Sequence, residues 1–470
     1  MGRKGTTYGG WLIAALLALP ACGSGGGGGS GGGGSGPPSG STTTGGAHAC
    51  SDLFDQGMLR TYSIDIAPDE WNSIQAEFHD VATLTAKGND FAAKHPVAFH
   101  MGSETAANAI FRLHGQSSWA QTVMFDGDRA KMQFDIDFHE QDPNATFHGV
   151  EKLVFDMSRD DWTFMHDRLA HNWLRQAGIA AGCSASAEVE INGSPYGLFV
   201  AEETTNARVL ADYFPDHAGG DLWKGGVQPE TNKNPDWSRQ KAFVGATDIA
   251  AVSAIVDLDA SVKEWAGEAL INDADGTYGG NHNFYIYDTG AKGFVFLPND
   301  TDSTFDWMTL YDKTPANDHP IYWWEGRAAP QPLAGATWRA AMNDPATRAK
   351  YVDAIAAMLG QWNVSQIQGW IDTWSQQIAS AAAADPHKPA TSDFNKAVAA
   401  ARDVVAKRAE FLQSFVDCEK NGAASDDHDG DGVRWCDDCR DDNASVHPGA
   451  AEVCGNGLDD DCNGLVDDGC

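Results

Sequence analysis

The stretch from Asp273 to Asp306, DADGTYGGNHNFYIYDTGAKGFVFLPNDTDSTFD, gathers many side chains able to do chemistry. Two short runs of β-type residues, Phe284 to Tyr287 and Phe294 to Leu297, flank a turn, Asp288 to Gly293, that contains two glycines. An antiparallel hairpin brings the chain back to where it began. Asp273, Asp275, Asn281 and Asn283, which precede the first strand, should therefore meet Asn299, Asp300 and Asp302, which follow the second. Carboxylates and amides brought together in this way cannot leave water unless a cation or a positive substrate offsets them. Such oxygen donors suit Mg²⁺, which binds few carboxylates and keeps positions open for phosphate oxygens. The pattern predicts a metal-dependent phosphoryl-transfer site, and a solvated polar loop is the alternative.

A second oxygen-rich pattern lies at the C-terminus. Asp427, Asp429, Asp431 and Gly432 fit D-x-D-x-D-G, and Asp438 falls at loop position twelve. A partial copy follows in Asp459, Asp461, Asn463 and Gly464, with Asp467 and Asp468 behind it. The spacing sets alternate oxygens around one centre, and it favours Ca²⁺ over Zn²⁺ because the neighbouring cysteines are expected to pair with one another. Residues 418 to 470 carry fifteen acidic and three basic side chains. A disordered acidic tail and a redox C-x-x-C at Cys436 and Cys439 are the alternatives; acidic neighbours would raise those thiol pKa values.

The elements that must position these groups can be read in outline. Arg60 to Ile66 and Ala109 to Leu113 read as strands, and Lys131 to Phe138 alternates as a half-buried one. Ala187 to Ile191, Asn192-Gly193 and Tyr196 to Val200 give a strong hairpin signal. Ser158 is placed to cap a helix running to about Gln176, with Trp162, Met165, Leu169 and Trp173 on one face and Gly178 ending it. Residues 338 to 416 are Ala-rich and helical in pattern. The fold class is α+β, with a mainly helical C-terminal part and a small disulfide-stapled acidic loop module.

Across 470 residues, 66 acidic against 32 basic side chains give a net charge of −34. That balance argues against nucleic acid as a partner, since backbone binding needs clustered basic charge. The apolar share of 42% is enough for a sizeable core. Residues 1-21 read as a lipoprotein signal peptide: Arg3 and Lys4, an apolar run from Trp11 to Leu19, then Leu19-Pro20-Ala21-Cys22. Cys22 is the expected lipidation site, and residues 22-49, rich in Gly and Ser, are the expected flexible tether. The expected location is the bacterial cell envelope, lipid-anchored at the outer membrane or cell surface. Nine cysteines less Cys22 leave eight, an even number suited to disulfides in an exported protein, with connectivity open. Ala328 to Pro332 reads as a Pro-rich loop.

Several segments, in order, resemble the spore-coat-protein-H (CotH) kinase-like family across roughly residues 60 to 415. They are FRLHGQSSW, KMQFDIDF, GVEKLVFDMSRDDWTFMHDRLAHNWLRQAG, VEINGSPYGLFVAEETTNARVLADYF, GGDLWKGG and DGTYGGNHNFYIYD with FVFLPNDTDSTFD. The resemblance implies a divergent protein-kinase-like fold over residues 50-417 that uses ATP with Mg²⁺ or Mn²⁺ and phosphorylates Ser or Thr hydroxyls of protein. It implies that Asp275 is the catalytic base, with Asp273 as its rival. Asn283, Asp300 and Asp302 would bind metal, and Lys131 would pair with the nucleotide phosphates. Glu203 matches the hinge acid, while His114 and His282 are the histidines near the site. Asn299 replaces the family's usual Trp, and Trp119 stands where an Arg is often found. The alternative is a catalytically weak surface-binding or adhesion module on the same fold. Residues 418-470 resemble the Cys- and Asp-rich MopE-type metal-binding modules.

Overall fold

The computed structural model describes residues 48–88, 91–277, 281–305, 318–322, 335–387, 394–422 and 426–470. Cys22, the signal peptide, all but the last two residues of the tether and the Ala328 to Pro332 stretch lie outside them.

Seven strands close into a barrel in the order β1-β2-β3-β4-β5-β7-β6. They are β1 (Arg60–Ile66), β2 (His95–Met101), β3 (Glu104–Leu113), β4 (Phe134–Asp137), β5 (Lys152–Asp156), β6 (Ser184–Ile191) and β7 (Ser194–Glu203). Neighbours are antiparallel except β1 and β6, whose parallel pairing from Arg60↔Ala187 to Ile64↔Ile191 closes the ring. Period-two alternation sends one face of each strand inward. The interior fills with aromatic rings: Phe111 stacks on Phe134 at 4.6 Å, and Phe134 on Phe155 at 5.0 Å. The β6–β7 turn uses Asn192 and Gly193 at φ 52° and 74°, the left-handed pair that a two-residue hairpin requires. A disulfide from Cys50 to Cys183 ties the entering chain to the residue before β6.

A second, four-stranded sheet has the order β11-β10-β8-β9, built from β8 (Leu222–Lys224), β9 (Gln228–Pro229), β10 (Phe284–Asp288) and β11 (Phe294–Pro298). The helices are α1 (Pro68–Phe78), α2 (Val81–Lys87), α3 (Ser117–Phe125), α4 (His166–Gln176), α5 (Ala207–Tyr213), α6 (Trp237–Val244), α7 (Ile249–Ile255), α8 (Leu258–Ile271), α9 (Ala336–Met342), α10 (Pro345–Leu359), α11 (Val364–Ala384) and α12 (Phe394–Asn421). Their shared core joins Trp173 to Trp362 at 4.8 Å and Trp265 to Trp338 at 5.2 Å.

The helix expected from Ser158 starts later, at His166. Ser158 sits at φ 51°, and the carboxylate of Asp161 accepts instead from the backbone N–H groups of Thr163, Met165 and His166, at 2.7 to 2.8 Å. One ionised side chain thus satisfies orphan donors of the first turn, which the hydroxyl of Ser158 is too far upstream to reach. The strand expected from Lys131 is also shorter, leaving Lys131 in the segment that enters β4.

Candidate active site

The hairpin brings its two ends together. β10 and β11 pair from Phe284↔Pro298 to Asp288↔Phe294, and the backbone N–H of Asn299 donates to the carbonyl of Asn283 at 3.3 Å. Gly293 turns the chain at φ 100°, where a Cβ would come within 2.5 Å of the Ile255 carbonyl oxygen. Asn283 donates from Nδ2 to Asp275 Oδ2 at 3.0 Å and from its backbone N–H to the Asp275 carbonyl at 2.9 Å. Asp275 therefore has a fixed orientation while its side chain stays 41% exposed. Asp273 differs: it is fully buried, and its Oδ1 accepts from the Asp275 N–H at 3.2 Å. Of the two rivals for the base, Asp275 is the exposed one. His282 Nδ1 lies 3.4 Å from Asp275 Oδ2, and this contact raises the imidazole pKa.

Asp300 sits at φ 56°, and this left-handed residue bends the chain as it leaves β11. Asp300 and Asp302 meet Asp156, the last residue of β5, with ligand oxygens within 4.8 Å of one another. Burial raises all three carboxyls; the Asp300 charge pushes Asp156 and Asp302 further, and the Asp275 charge pushes Asp300. Asp156 reaches about 7, with Asp300 the strongest charge acting on it. The strongest charge relief for Asp300 is the ammonium of Lys224, at the end of β8, with His114 and His282 adding to it. Lys131 gives similar relief at Asp156, yet the carboxyls stay raised, so three this crowded are not all ionised without a cation. An oxygen-only donor set fits Mg²⁺, Mn²⁺ or Ca²⁺ better than Zn²⁺.

Asp156 and Lys224 were not singled out in the sequence reading. Asp156 closes the LVFD run of β5 and Lys224 the LWK run of β8, so a carboxylate or an ammonium at a strand end was the available signal.

Lys131 acts on Asp156 through its charge but is hydrogen-bonded to other groups. Its ammonium donates to Asp385 Oδ2 at 3.0 Å, to the Leu198 carbonyl, and more distantly to the Met157 carbonyl at 3.4 Å. Those acceptors match its three N–H donors in number. Burial lowers the Lys131 pKa against the pull of Asp385. Burial alone would raise Asp385, but Lys131 and the Leu198 and His387 N–H groups hold it below its ordinary value. Glu203 also points away from the site, to His48 Nε2 at 2.7 Å and to Arg208. Its neighbour Glu202 acts electrostatically on Asp167, an effect coupled to Asp156 and Asp300. His114 lies 3.6 Å from Asp135. Trp119 is a core residue, donating from Nε1 to the Phe78 carbonyl at 2.8 Å and stacking on Phe91. Asn299 Nδ2 is buried without a hydrogen-bond partner.

Behind Asp275 lies a separate buried set. Glu264 and Glu268 are one turn apart on α8, and Glu268 accepts from Thr277 N at 2.9 Å and Oγ1 at 3.2 Å. Gly276 has no room for a side chain: a Cβ there would lie 2.8 Å from the Glu268 carboxyl carbon and 3.0 Å from that of Asp273.

In the C-terminal module the loop oxygens turn inward. Asp427 accepts from Gly430 and Gly432, Asp429 from Asp431, and Asp431 from Val433, at 2.7 to 3.2 Å. The other oxygens of Asp429, Asp431 and Asp438 are buried without partners. Burial and the charges of Asp431, Asp429 and Asp441 push Asp438 up to about 7. In the second loop Asp459 accepts from Asn463 and Gly464, and Asp461 from Asn463. Glu452, absent from the sequence reading, accepts there from Asp460 and Asp461 and leaves Oε2 buried and unpartnered. Disulfides pair Cys418 with Cys436, Cys439 with Cys462 and Cys454 with Cys470. The first of these fastens the loops to α12, which runs on to Asn421. Arg348 of α10 donates to the Cys436 carbonyl at 2.7 Å and to Asp437 at 3.0 Å, and Trp435 packs on Phe411.

Residues 438–468 match the model of the MopE-type metal-binding motif. No curated protein matches the chain. Residues 111–412, more than half of the sequence and spanning Asp156, Asp275 and Asp300, match the model of the CotH kinase protein. The chain belongs to the CotH kinase family.

Proposed function

We propose that this chain is an atypical kinase that moves the terminal phosphoryl group of ATP to Ser or Thr hydroxyls of protein. The observation that carries the reading is the meeting of Asp156, Asp300 and Asp302 beside the exposed, Asn283-oriented Asp275. A bound Mg²⁺ or Mn²⁺ would supply charge neutralisation on the phosphates, held by the Asp156, Asp300 and Asp302 carboxylates with Asn283 alongside. Lys224, whose charge acts on Asp300, would serve as a phosphate countercharge, with Lys131 acting on Asp156 from its place beside Asp385. In the transfer the acceptor oxygen bonds to the γ-phosphorus, the bond to the bridging oxygen of ADP breaks, and Asp275 takes the hydroxyl proton. Positioning and electrostatics of this kind supply nearly all of phosphoryl-transfer catalysis. A protein-kinase-like fold is part of the same proposal, the barrel standing on the nucleotide side of the site.

For the C-terminal module the proposed ion is Ca²⁺. All its cysteines are in disulfides, so no thiolate is available to copper or zinc, and the unpartnered inward atoms are oxygens. The four disulfides also support an oxidising compartment, in keeping with export and a lipid anchor at Cys22 in the cell envelope. The test is calorimetry of ATP with Mg²⁺ or Mn²⁺ on the full chain, followed by incubation with labelled ATP. Metal-dependent nucleotide binding and self-labelling are expected. No metal-dependent binding would leave the surface-binding alternative standing.

A further inference from the structure

Next to the Asp156 trio lies a group with different chemistry. Asp167 and His171 are one turn apart on α4 and so share a face, and Glu202 stands on β7 opposite Val154 of β5. Each of the three offers a ligand atom within 4.8 Å of the others. Thr301, between Asp300 and Asp302, donates its backbone N–H and its hydroxyl to Asp167 Oδ1, both at 2.8 Å, which fixes that carboxylate and leaves Oδ2 for another partner. Glu202 Oε1 is buried with no partner, and so is Nδ1 of His171, a residue only 7% exposed.

A proton shared between Asp167 and Glu202 would ease the repulsion between those two carboxyls. It would do nothing for the imidazole, whose buried nitrogen would still lack a partner, at a cost of about 1–3 kcal/mol. A cation satisfies all three groups at once. Burial and the Arg175 charge hold His171 down to about 4, so the ring is neutral and its lone pair is available. Atoms this close need only side-chain adjustment to reach the roughly 2.0–2.2 Å of metal–nitrogen and metal–oxygen bonds.

We infer that Asp167, His171 and Glu202 form a second cation site, separate from the oxygen-only trio, that takes a borderline divalent ion of the Zn²⁺ or Mn²⁺ kind. One imidazole with two carboxylates favours such ions over Mg²⁺ or Ca²⁺. Thr301 links this site to the segment carrying Asp300 and Asp302, so the ion would brace the place where the nucleotide metal is held. The site stands or falls without regard to phosphoryl transfer.

The experiment uses the full chain with no nucleotide present. Mn²⁺ is added and pulsed electron paramagnetic resonance records whether a nitrogen nucleus couples to the bound ion, while Zn²⁺ retained after dialysis is counted by mass spectrometry. Wild type should show imidazole coupling and retain one more Zn²⁺ than His171→Gln, with Asp302→Asn keeping that ion. In His171→Gln the coupling should vanish and the Zn²⁺ affinity fall at least tenfold. Glu202→Gln serves if His171→Gln does not fold. Absence of nitrogen coupling in wild type, or coupling and Zn²⁺ retention unchanged in a folded variant, overturns the site. ATP–Mg²⁺ binding measured separately reports on the kinase reading alone.

Discussion

In the C-terminal module, Asp427, Asp429, Asp431 and Asp438 come from one short loop, while Asp156, Asp300 and Asp302 come from a barrel strand and the segment after a distant hairpin. Each region ends with carboxylate oxygens that have no hydrogen-bond donor or that crowd one another. The loop reaches that state through local spacing and is held by disulfides. The central site reaches it through the packing of a barrel, a helix and a second sheet, and nothing covalent crosses it among the described residues. In the central site any change at one carboxylate alters the charge balance of several others. Removing a central carboxylate should therefore affect function far more than removing a loop carboxylate affects stability.

The largest effect is expected from Asp300→Asn. It deletes the charge most strongly coupled to Asp156, and metal-dependent ATP binding should be abolished along with turnover, as read by calorimetry and label transfer. ATP binding that persists at wild-type strength would remove Asp300 from the metal set. Lys131→Met comes next and acts on a different property. Breaking a buried pair leaves Asp385 uncompensated, at a cost of about 3–5 kcal/mol in a denaturant melt. The molecules that remain folded should bind ATP–Mg²⁺ normally, and weakened binding in the folded fraction would return Lys131 to the phosphate role.

Asp275→Asn should be milder in binding and specific in chemistry. Nucleotide affinity should stay within a factor of two or so, while turnover falls roughly 100-fold, or about 2.7 kcal/mol. Equal losses in binding and turnover would mean that Asp275 holds metal and does not act as the base. Smaller still is Asp438→Asn in the module. If the loop takes Ca²⁺ as proposed, the ion should stabilise the wild type by binding only the folded loop, by about 2.7 kcal/mol at a hundred times Kd. The substitution should weaken Ca²⁺ roughly tenfold, about 1.4 kcal/mol, without changing ATP binding. Melting curves that ignore millimolar Ca²⁺ in the wild type would refute the loop as a Ca²⁺ site.

The contrast also explains what the sequence disclosed. D-x-D-x-D-G and the Phe284–Leu297 hairpin encode their geometry over a few residues, so the loop carboxylates and the approach of Asn283 to Asp300 could be read directly. The closed barrel could not, because the parallel β1–β6 pairing joins strands far apart in the chain. Asp156, Glu202 and Lys224 acquire meaning only through that closure and through the second sheet. Lys131 shows the opposite case. A lysine beside an alternating strand reads as a phosphate ligand, and the end of α11 presents Asp385 to it, a partner that no local pattern announces. Glu203 and Glu202 are adjacent, and strand alternation alone decided which one faces the acids.

The buried carboxyls behind Asp275 sharpen the comparison, since they lie next to the site without being part of it. Burial, with the Asp273 charge behind it, pushes Glu264 up to about 8. In the unfolded chain the same group titrates near 4.5. Between those values the folded protein holds a proton that the unfolded chain has released, so stability is highest at the acid end and falls as pH rises toward 8. The slope for one such proton is at most about 1.4 kcal/mol per pH unit. Glu264→Gln keeps the shape and removes the titration. Its melting temperature relative to wild type should therefore climb steadily from pH 5 to pH 8, with little difference at the acid end. Asp300→Asn, measured without metal over the same range, would change the binding site but leave this particular slope in place. Parallel pH profiles for wild type and Glu264→Gln would show that Glu264 is not carrying the proton.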